Sequence, residues 1–223
     1  MKVRKKDIVI LTICLIIVMT MHYAMAKQTR RSRIEIDKDN PVVLSQFEIQ
    51  NDDFKFGDNK APVKIVFYGD FACHHCIGFM RKNFQKIVKQ YILTNKAQFI
   101  FRPMISTRAT LFGSKMLLCK DYTNDEKINI LYNMFKNNWV FKNDYANALL
   151  KLFREEKWLS DEEFIQCEKS KKLEMLIINK HKHTISDLKI TSTPAVFVNY
   201  KNVKADENVF NEIEKSYQEL ENK

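Results

Sequence analysis

With 223 residues and a hydrophobic share of 45 %, the chain can bury a sizeable core on its own, which excludes a disordered segment and a mini-protein held only by staples. The formal charge is +10 at pH 7, yet the lysines are scattered among Asp and Glu along the helical stretches, so no basic stripe points to nucleic acid. The charge follows instead a compositional bias toward Lys, Asn, Ile and Phe, with only four Gly and four Pro.

The N-terminus is set apart from the fold. Lys2, Arg4, Lys5 and Lys6 precede the apolar run IVILTICLIIVM, Ile8 to Met19, which is shorter than the roughly 20 residues a spanning helix needs. HYAMAK follows, and Ala24 and Ala26 supply the small-residue pattern of a signal-peptidase site. An export signal cleaved after Ala26 is expected, with an uncleaved anchor running on through Met21 and Tyr23 as the alternative; Cys14 is part of the apolar segment. Removing residues 1–26 takes away four basic side chains and Asp7, leaving 33 Lys+Arg against 26 Asp+Glu, or +7. Such a body adheres weakly to anionic surfaces at most.

Residues 27 to about 52 are polar and without period, an extended arm or a weak leading strand. In APVKIVFYGDF, Val63, Ile65 and Phe67 alternate with Lys64, Val66 and Tyr68, the pattern of a strand. From Cys73 the period changes: Ile77, Met80, Phe84, Ile87, Val88, Tyr91 and Ile92 recur at three- and four-residue steps, which predicts an amphipathic helix of about five turns. AQFIFRPM, Ala97 to Met104, is a second strand stopped by Pro103, and the β-α-β order makes a parallel pair. Four helical patterns follow, the last running from SDEEFIQCEK through KLEMLIINKHK and opening with a capping box of Ser160 and Glu163. Strand character returns at Ala195 to Tyr200, with a turn around Lys201 and Asn202 suggesting a hairpin. Val209, Phe210, Ile213, Tyr217 and Leu220 mark a closing helix.

The stretch GDFACHHCIGF places two cysteines where strand gives way to helix. A sulfur over the first turn of a helix faces unpaired backbone N–H groups and the positive end of the dipole, and both stabilise a thiolate. Cys73 occupies that position, Cys76 lies one turn inside as the more buried partner, and His75, when protonated, adds a second positive influence. A pair of this kind can hand its bridge to other proteins. Two further readings stay open: a structural bridge, which would close too small a loop to stabilise much, and a metal clip, for which His74 and His75 are awkwardly adjacent and no second ligand pair stands at zinc spacing.

Some 120 residues later, ITSTPAVFVN puts Pro194 at the entrance to a strand, where a proline fits at an edge or as a cis bond. APVKIVFYGDFACHHC, a helical insertion, and TSTPAVFVNYK before a C-terminal helix together resemble the thioredoxin-fold disulfide oxidoreductases of the bacterial DsbA type, over about residues 54–223. The implied fold is α/β, a thioredoxin fold with an inserted α-helical domain. Its parts are a signal peptide (1–26), an N-terminal arm (27–52), the first part of the thioredoxin fold (53–105), the helical insertion (106–186) and the second part (187–223).

The resemblance also implies an enzyme, a periplasmic protein thiol:disulfide oxidoreductase. In it Cys73 is the attacked sulfur, Cys76 resolves, Pro194 is the cis-proline beside them, and Thr193 offers its backbone to the substrate. Its substrates are reduced or unfolded exported proteins, a quinone-linked membrane protein reoxidises it, and it needs no cofactor or metal beyond its own disulfide. A monomer is expected.

Two departures bear on its direction: His74 stands where the best-known oxidases carry Pro, and Thr193 where they carry Val, as in the isomerase branch. His74 and Thr193 therefore tune both potential and substrate affinity, and an isomerase or reductase remains the alternative, beside a non-enzymatic metal-binding module. The glycines usual around the proline motif are absent, and Lys189, Ser192 and Tyr200 stand nearby.

Cys119 and Cys167, 48 positions apart in two predicted helices, are expected to form a structural disulfide, the rival being buried free thiols. His181 and His183 are expected to be exposed. Phe71 and Phe79 are expected to pack near the cysteines, as core or as a substrate-facing rim.

Overall fold

The computed structural model of the protein describes residues 19–21 and 48–221. Two units are distinguished, Met1–Glu35 and Ile36–Lys223. Of the first only residues 19–21 are described, and they are helical; the rest of the predicted signal and the arm up to residue 47 lie outside the described residues. Among the described residues no helix is long and apolar enough to cross a membrane.

Within the second unit the two predicted strands form the centre of a sheet. β2 (Val63–Gly69) and β3 (Ala97–Pro103) pair in parallel, from Val63 opposite Ala97 to Gly69 opposite Pro103. The segment joining them is α1, which runs as His74–Phe79, Met80–Phe84, Gln85–Ile87 and Val88–Ile92 without a break, the second and fourth pieces being π-helical. Among the described residues the leading strand is β1, Phe54–Phe56, antiparallel to β3 with Phe54 opposite Phe101. A strand of three residues shows no period of its own, and it is fixed here by burying Phe54 and Phe56.

The five-stranded order is β1-β3-β2-β4-β5, where β4 (Ala195–Val198) runs antiparallel to β2 and β5 (Lys201–Val203) closes a hairpin. The hairpin turn is Asn199–Tyr200, both at positive φ (45° and 70°), and not Lys201 and Asn202. A two-residue turn with both central residues left-handed matches the twist of the flanking strands, and Asn accepts that conformation more readily than Lys.

Between β3 and β4 the chain is helical: α2 (Arg108–Leu117), α3 (Asn124–Lys136), a 3₁₀ turn (Trp139–Phe141), α4 (Tyr145–Glu155), α5 (Asp161–Lys169) and α6 (Lys171–Ser186). Thr107, Thr123 and Ser160 each start a helix with a reciprocal capping box. The long pattern from Ser160 is two helices. Ser170 takes an extended conformation, ends α5, and accepts from the Leu173 N–H to start α6, because a serine satisfies a helix start better than a helix interior. The closing helix α7 spans Asn208–Glu221.

One sheet face, with Ile65, Phe67 and Phe99, belongs to an aromatic core in which Phe67 lies against Phe79, Phe101 and Phe135. The register puts Tyr68 and Arg102 side by side on the other face. There the Arg102 guanidinium is buried, donating to both Asp53 carboxylate oxygens (3.2 and 2.8 Å), to the Tyr68 hydroxyl (2.8 Å) and to the Glu48 carbonyl (2.7 Å). Lys180 of α6 adds a second cation to Asp53 at 3.3 Å. Burial alone would raise the Asp53 pKa, but the hydrogen bonds and charge of Arg102, with Lys180, hold it below the usual carboxylate value.

Candidate functional site

β2 ends beside the start of α1, and the turn between them is built by Asp70. Its carboxylate accepts from the Ala72 N–H (2.6 Å) and its carbonyl accepts from the Cys73 N–H (3.1 Å), an Asx-type turn that aims Cys73 at the helix start. Cys73 is then the N-cap, in extended conformation. Its Sγ accepts from the Cys76 N–H at 3.4 Å, and its carbonyl accepts from the Ile77 N–H at 2.9 Å. Nothing in α1's first turn is acidic, so the helix start presents its N–H groups to sulfur without a competing anion.

Cys73 is half-buried and Cys76 fully buried, and both are free thiols. Burial pushes the Cys76 thiol up; hydrogen bonds from the Asp70 backbone and the Thr193 side chain pull the other way without offsetting it. Across from the pair, the Thr193–Pro194 peptide bond is cis. The Cys73 thiol donates to the Thr193 carbonyl at 3.3 Å, bringing together residues 120 positions apart. Cys73, Cys76, Thr193 and Pro194 thus form one site at the end of β2 and the start of β4.

His74 and His75 are both exposed on the first turn. His75 has no hydrogen bond or ion pair among the described residues. His74 lies flat on Phe141, with ring centroids 5.3 Å apart and planes 5° from parallel. Phe71 and Phe79 are core and not rim: Phe71 packs on Phe135 and Trp139, Phe79 on Phe67. His181 corrects the sequence reading, since it is half-buried. Its Nδ1 accepts from the Ile105 N–H (3.4 Å), and burial depresses its pKa against the opposing charge of Asp70. His183 is exposed, 3.2 Å from the Asp187 carboxylate.

Cys119 and Cys167 are bridged, with Cα atoms 5.6 Å apart. Cys167 lies in α5, while Cys119 falls just past the end of α2 and not within it. Among the described residues no three His, Cys, Asp or Glu side chains converge on a metal position. A cavity of about 240 Å³ lies between Phe54, Arg102, Ile177 and Leu188, but none of its lining residues belongs to the cysteine turn or the proline loop. Sequence reasoning missed Asp70 and Phe141. The Asp-Phe step just ahead of Ala72 and Cys73 carried a turn signal for the first; nothing local marked the second.

A Cys-x-x-Cys turn at the head of α1, facing a cis-proline at the entrance to β4 with helices inserted between, defines a thioredoxin-fold protein of the DsbA type. The chain belongs to the thioredoxin family, whose model matches residues 50–216.

Among its relatives, a Rickettsia typhi protein named as a protein-disulfide oxidoreductase is 30 % identical over 155 residues, covering 69 % of this chain and 57 % of the relative. A Rickettsia conorii protein of the same description is 26 % identical over 164 residues, covering 72 % and 59 %. The chain therefore spans less than three fifths of the length of these two relatives. The crystal structure of Wolbachia pipientis alpha-DsbA1 superposes with a TM-score of 0.71 at 26 % identity, covering 78 % of this chain and 96 % of that one.

Proposed function

We propose that the protein is an exported thiol:disulfide oxidase that introduces disulfide bonds into reduced proteins through Cys73 and Cys76. The observation that carries this reading is the asymmetry of the pair: one cysteine half-buried on a helix start and beside a cis-proline, the other fully buried one turn in. In the oxidised form a substrate thiolate attacks Cys73 Sγ. The Cys73–Cys76 bond breaks, and Cys76 takes its electron pair and then a proton, which its buried setting favours.

The substrate's second thiolate next attacks the substrate sulfur of the mixed disulfide. Cys73 leaves as a thiolate accepting from the Cys76 N–H. The substrate has lost two electrons and two protons, one proton now on Cys76, and the Cys73 thiolate takes the other from solvent to complete the dithiol. The Thr193 carbonyl, bonded to the Cys73 thiol in that dithiol, is free in the mixed disulfide to receive an extended substrate backbone. A quinone-linked membrane protein restores the disulfide, no separate cofactor takes part, and the protein works as a monomer in the periplasm.

The test is the equilibrium of Cys73 and Cys76 with glutathione buffers, read by alkylation and mass spectrometry. A potential above about −180 mV supports an oxidase, and one near −270 mV a reductase. Thr193, the residue before the cis-proline, favours an isomerase as the second reading. That reading requires self-association to build a substrate cleft, which sedimentation detects.

A further inference from the structure

Phe141 is out of place by the standards of its own chain. Every other described phenylalanine is buried, at 8 % exposure or less, while Phe141 is 49 % exposed. It is also not loose. Trp139, two residues earlier in the same 3₁₀ turn, is buried beneath the cysteine turn, against Phe71 at 5.8 Å, with its Nε1 donating to the Met134 carbonyl at 3.0 Å. Asn138 is held in the left-handed conformation (φ 50°), and Arg81 of α1 donates to both its Oδ1 (2.9 Å) and the Lys136 carbonyl (2.7 Å).

The segment that carries the cysteines therefore grips this turn on two sides, through Phe71 and Arg81. The turn in return lays Phe141 flat on His74, the residue bonded to Cys73. An exposed apolar ring fixed on the residue that follows a reactive cysteine stays partly hydrated until something covers it.

We propose that Phe141, stacked with His74, is a specificity-determining platform that takes an aromatic side chain next to the cysteine of the substrate. The inference rests on the exchange reaction proposed above and adds to it a preference among substrates. A substrate strand held at Thr193 and joined to Cys73 brings its neighbouring side chains over His74. A planar ring there gains an offset stack of the geometry His74 and Phe141 already make, and an aromatic pair of this kind changes a rate or affinity about 2- to 10-fold. A glycine at the same place gains nothing.

The experiment uses the oxidised protein and two monothiol peptides, one with phenylalanine and one with glycine on either side of its cysteine. The rate of mixed-disulfide formation is followed by rapid quenching and mass spectrometry. The ratio of the two rates is divided by the ratio the same two peptides show with glutathione disulfide, so that differences in thiol acidity between the peptides cancel. Wild type is expected to favour the phenylalanine peptide about 2- to 10-fold, Phe141→Ala to bring the ratio toward one, and Phe141→Tyr, which keeps the ring, to retain it. If Phe141→Ala does not fold, His74→Ala removes the other half of the platform at an exposed position and is expected to lower the ratio as well. A wild-type ratio of one, or a ratio that survives loss of the Phe141 ring, overturns the proposal. Glutathione, with no large side chain beside its cysteine, separates the two readings. A wild-type protein that exchanges with glutathione but shows no preference refutes the platform alone, and one that exchanges with neither glutathione nor peptides refutes the oxidoreductase reading and the platform with it.

Discussion

Replacing Cys119 and Cys167 together by alanine removes a bridge across a sequence separation of 48. In the chain-entropy treatment that loop constrains the unfolded chain by about 4 kcal/mol at 25 °C, between roughly 3 for 15 residues and 4.7 for 100. Two corrections act in opposite directions. Cys167 is buried, so losing its sulfur adds a small packing cost, while residual structure in the unfolded chain reduces the entropic gain of the bridge. The helices it joins have other ties: Lys115 of α2 is buried, donates to the Glu168 carbonyl of α5 and pairs with Glu174 of α6 at 3.5 Å, so the folded geometry survives the loss. The expected outcome is a folded variant less stable by about 3–4 kcal/mol, with a thermal midpoint lower by about 6–16 °C for a chain of this size. The assay is urea unfolding followed by far-ultraviolet circular dichroism, in a Cys73→Ser, Cys76→Ser background so that one disulfide alone is varied. The slope m should rise as well, because the unlinked unfolded chain exposes more surface. A loss under about 1 kcal/mol with unchanged m would falsify the unfolded-state account of this bridge.

Alkylation of the reduced protein with iodoacetamide at pH 8 should label Cys73 and leave Cys76 unmodified until the protein is unfolded, since Cys76 is inaccessible and burial raises its pKa; comparable labelling in a peptide map contradicts the burial. Asp53→Ala should cost about 3–5 kcal/mol at pH 7, because it removes the carboxylate that pairs with the buried Arg102 guanidinium. The sign with pH follows from the depressed folded pKa of Asp53: its contribution is fully present above the unfolded value of about 3.9 and is lost as pH falls through the lower folded value. Thermal midpoints of wild type and variant should therefore run parallel from pH 7 to about 4 and converge only below it, and a gap that closes by pH 5 rules this out. Lys189→Gly should stabilise by about 0.5–1 kcal/mol, because Lys189 sits at φ 54°, where a side chain costs more than glycine's extra entropy; an unchanged urea midpoint contradicts it.

Lys189 and Tyr200 show what a local reading can and cannot deliver. Both stand near the proline motif, where the sequence lacks the usual glycines, and both are at positive φ, whereas Ser192 is not, so two of these three loop positions hold a side chain in a conformation that favours glycine. β2, β3 and α1 were legible because each is long enough for its period to show and the change of period falls at Cys73. β1 was not, being three residues long and defined by its partner β3. Ser170 divides a continuous apolar pattern because a cap is a backbone event that periodicity does not register. Thr193 and Pro194 were legible as a motif, yet the bond from the Cys73 thiol to the Thr193 carbonyl depends on β4 pairing with β2, which is a fact of the sheet and not of either segment.

The same limit applies with more force where the inserted helices meet the cysteine turn. Periodicity tells which side of a helix is buried but not what it is buried against, and it has nothing to say about a three-residue 3₁₀ turn. The polar neighbours of His181 predict an exposed residue, yet α6 lays it half-buried against the Ile105 backbone. Phe141 carries no signal in the sequence, and in its three-residue turn Trp139 is the ring that is buried, against Phe71, while Phe141 is left exposed. The chemistry of the pair is thus written in one short stretch, whereas what surrounds the pair is written in the insertion. Differences in substrate choice among proteins sharing this cysteine turn are accordingly expected to map to the insertion residues that reach it, Phe141 and the Arg81-held turn first among them.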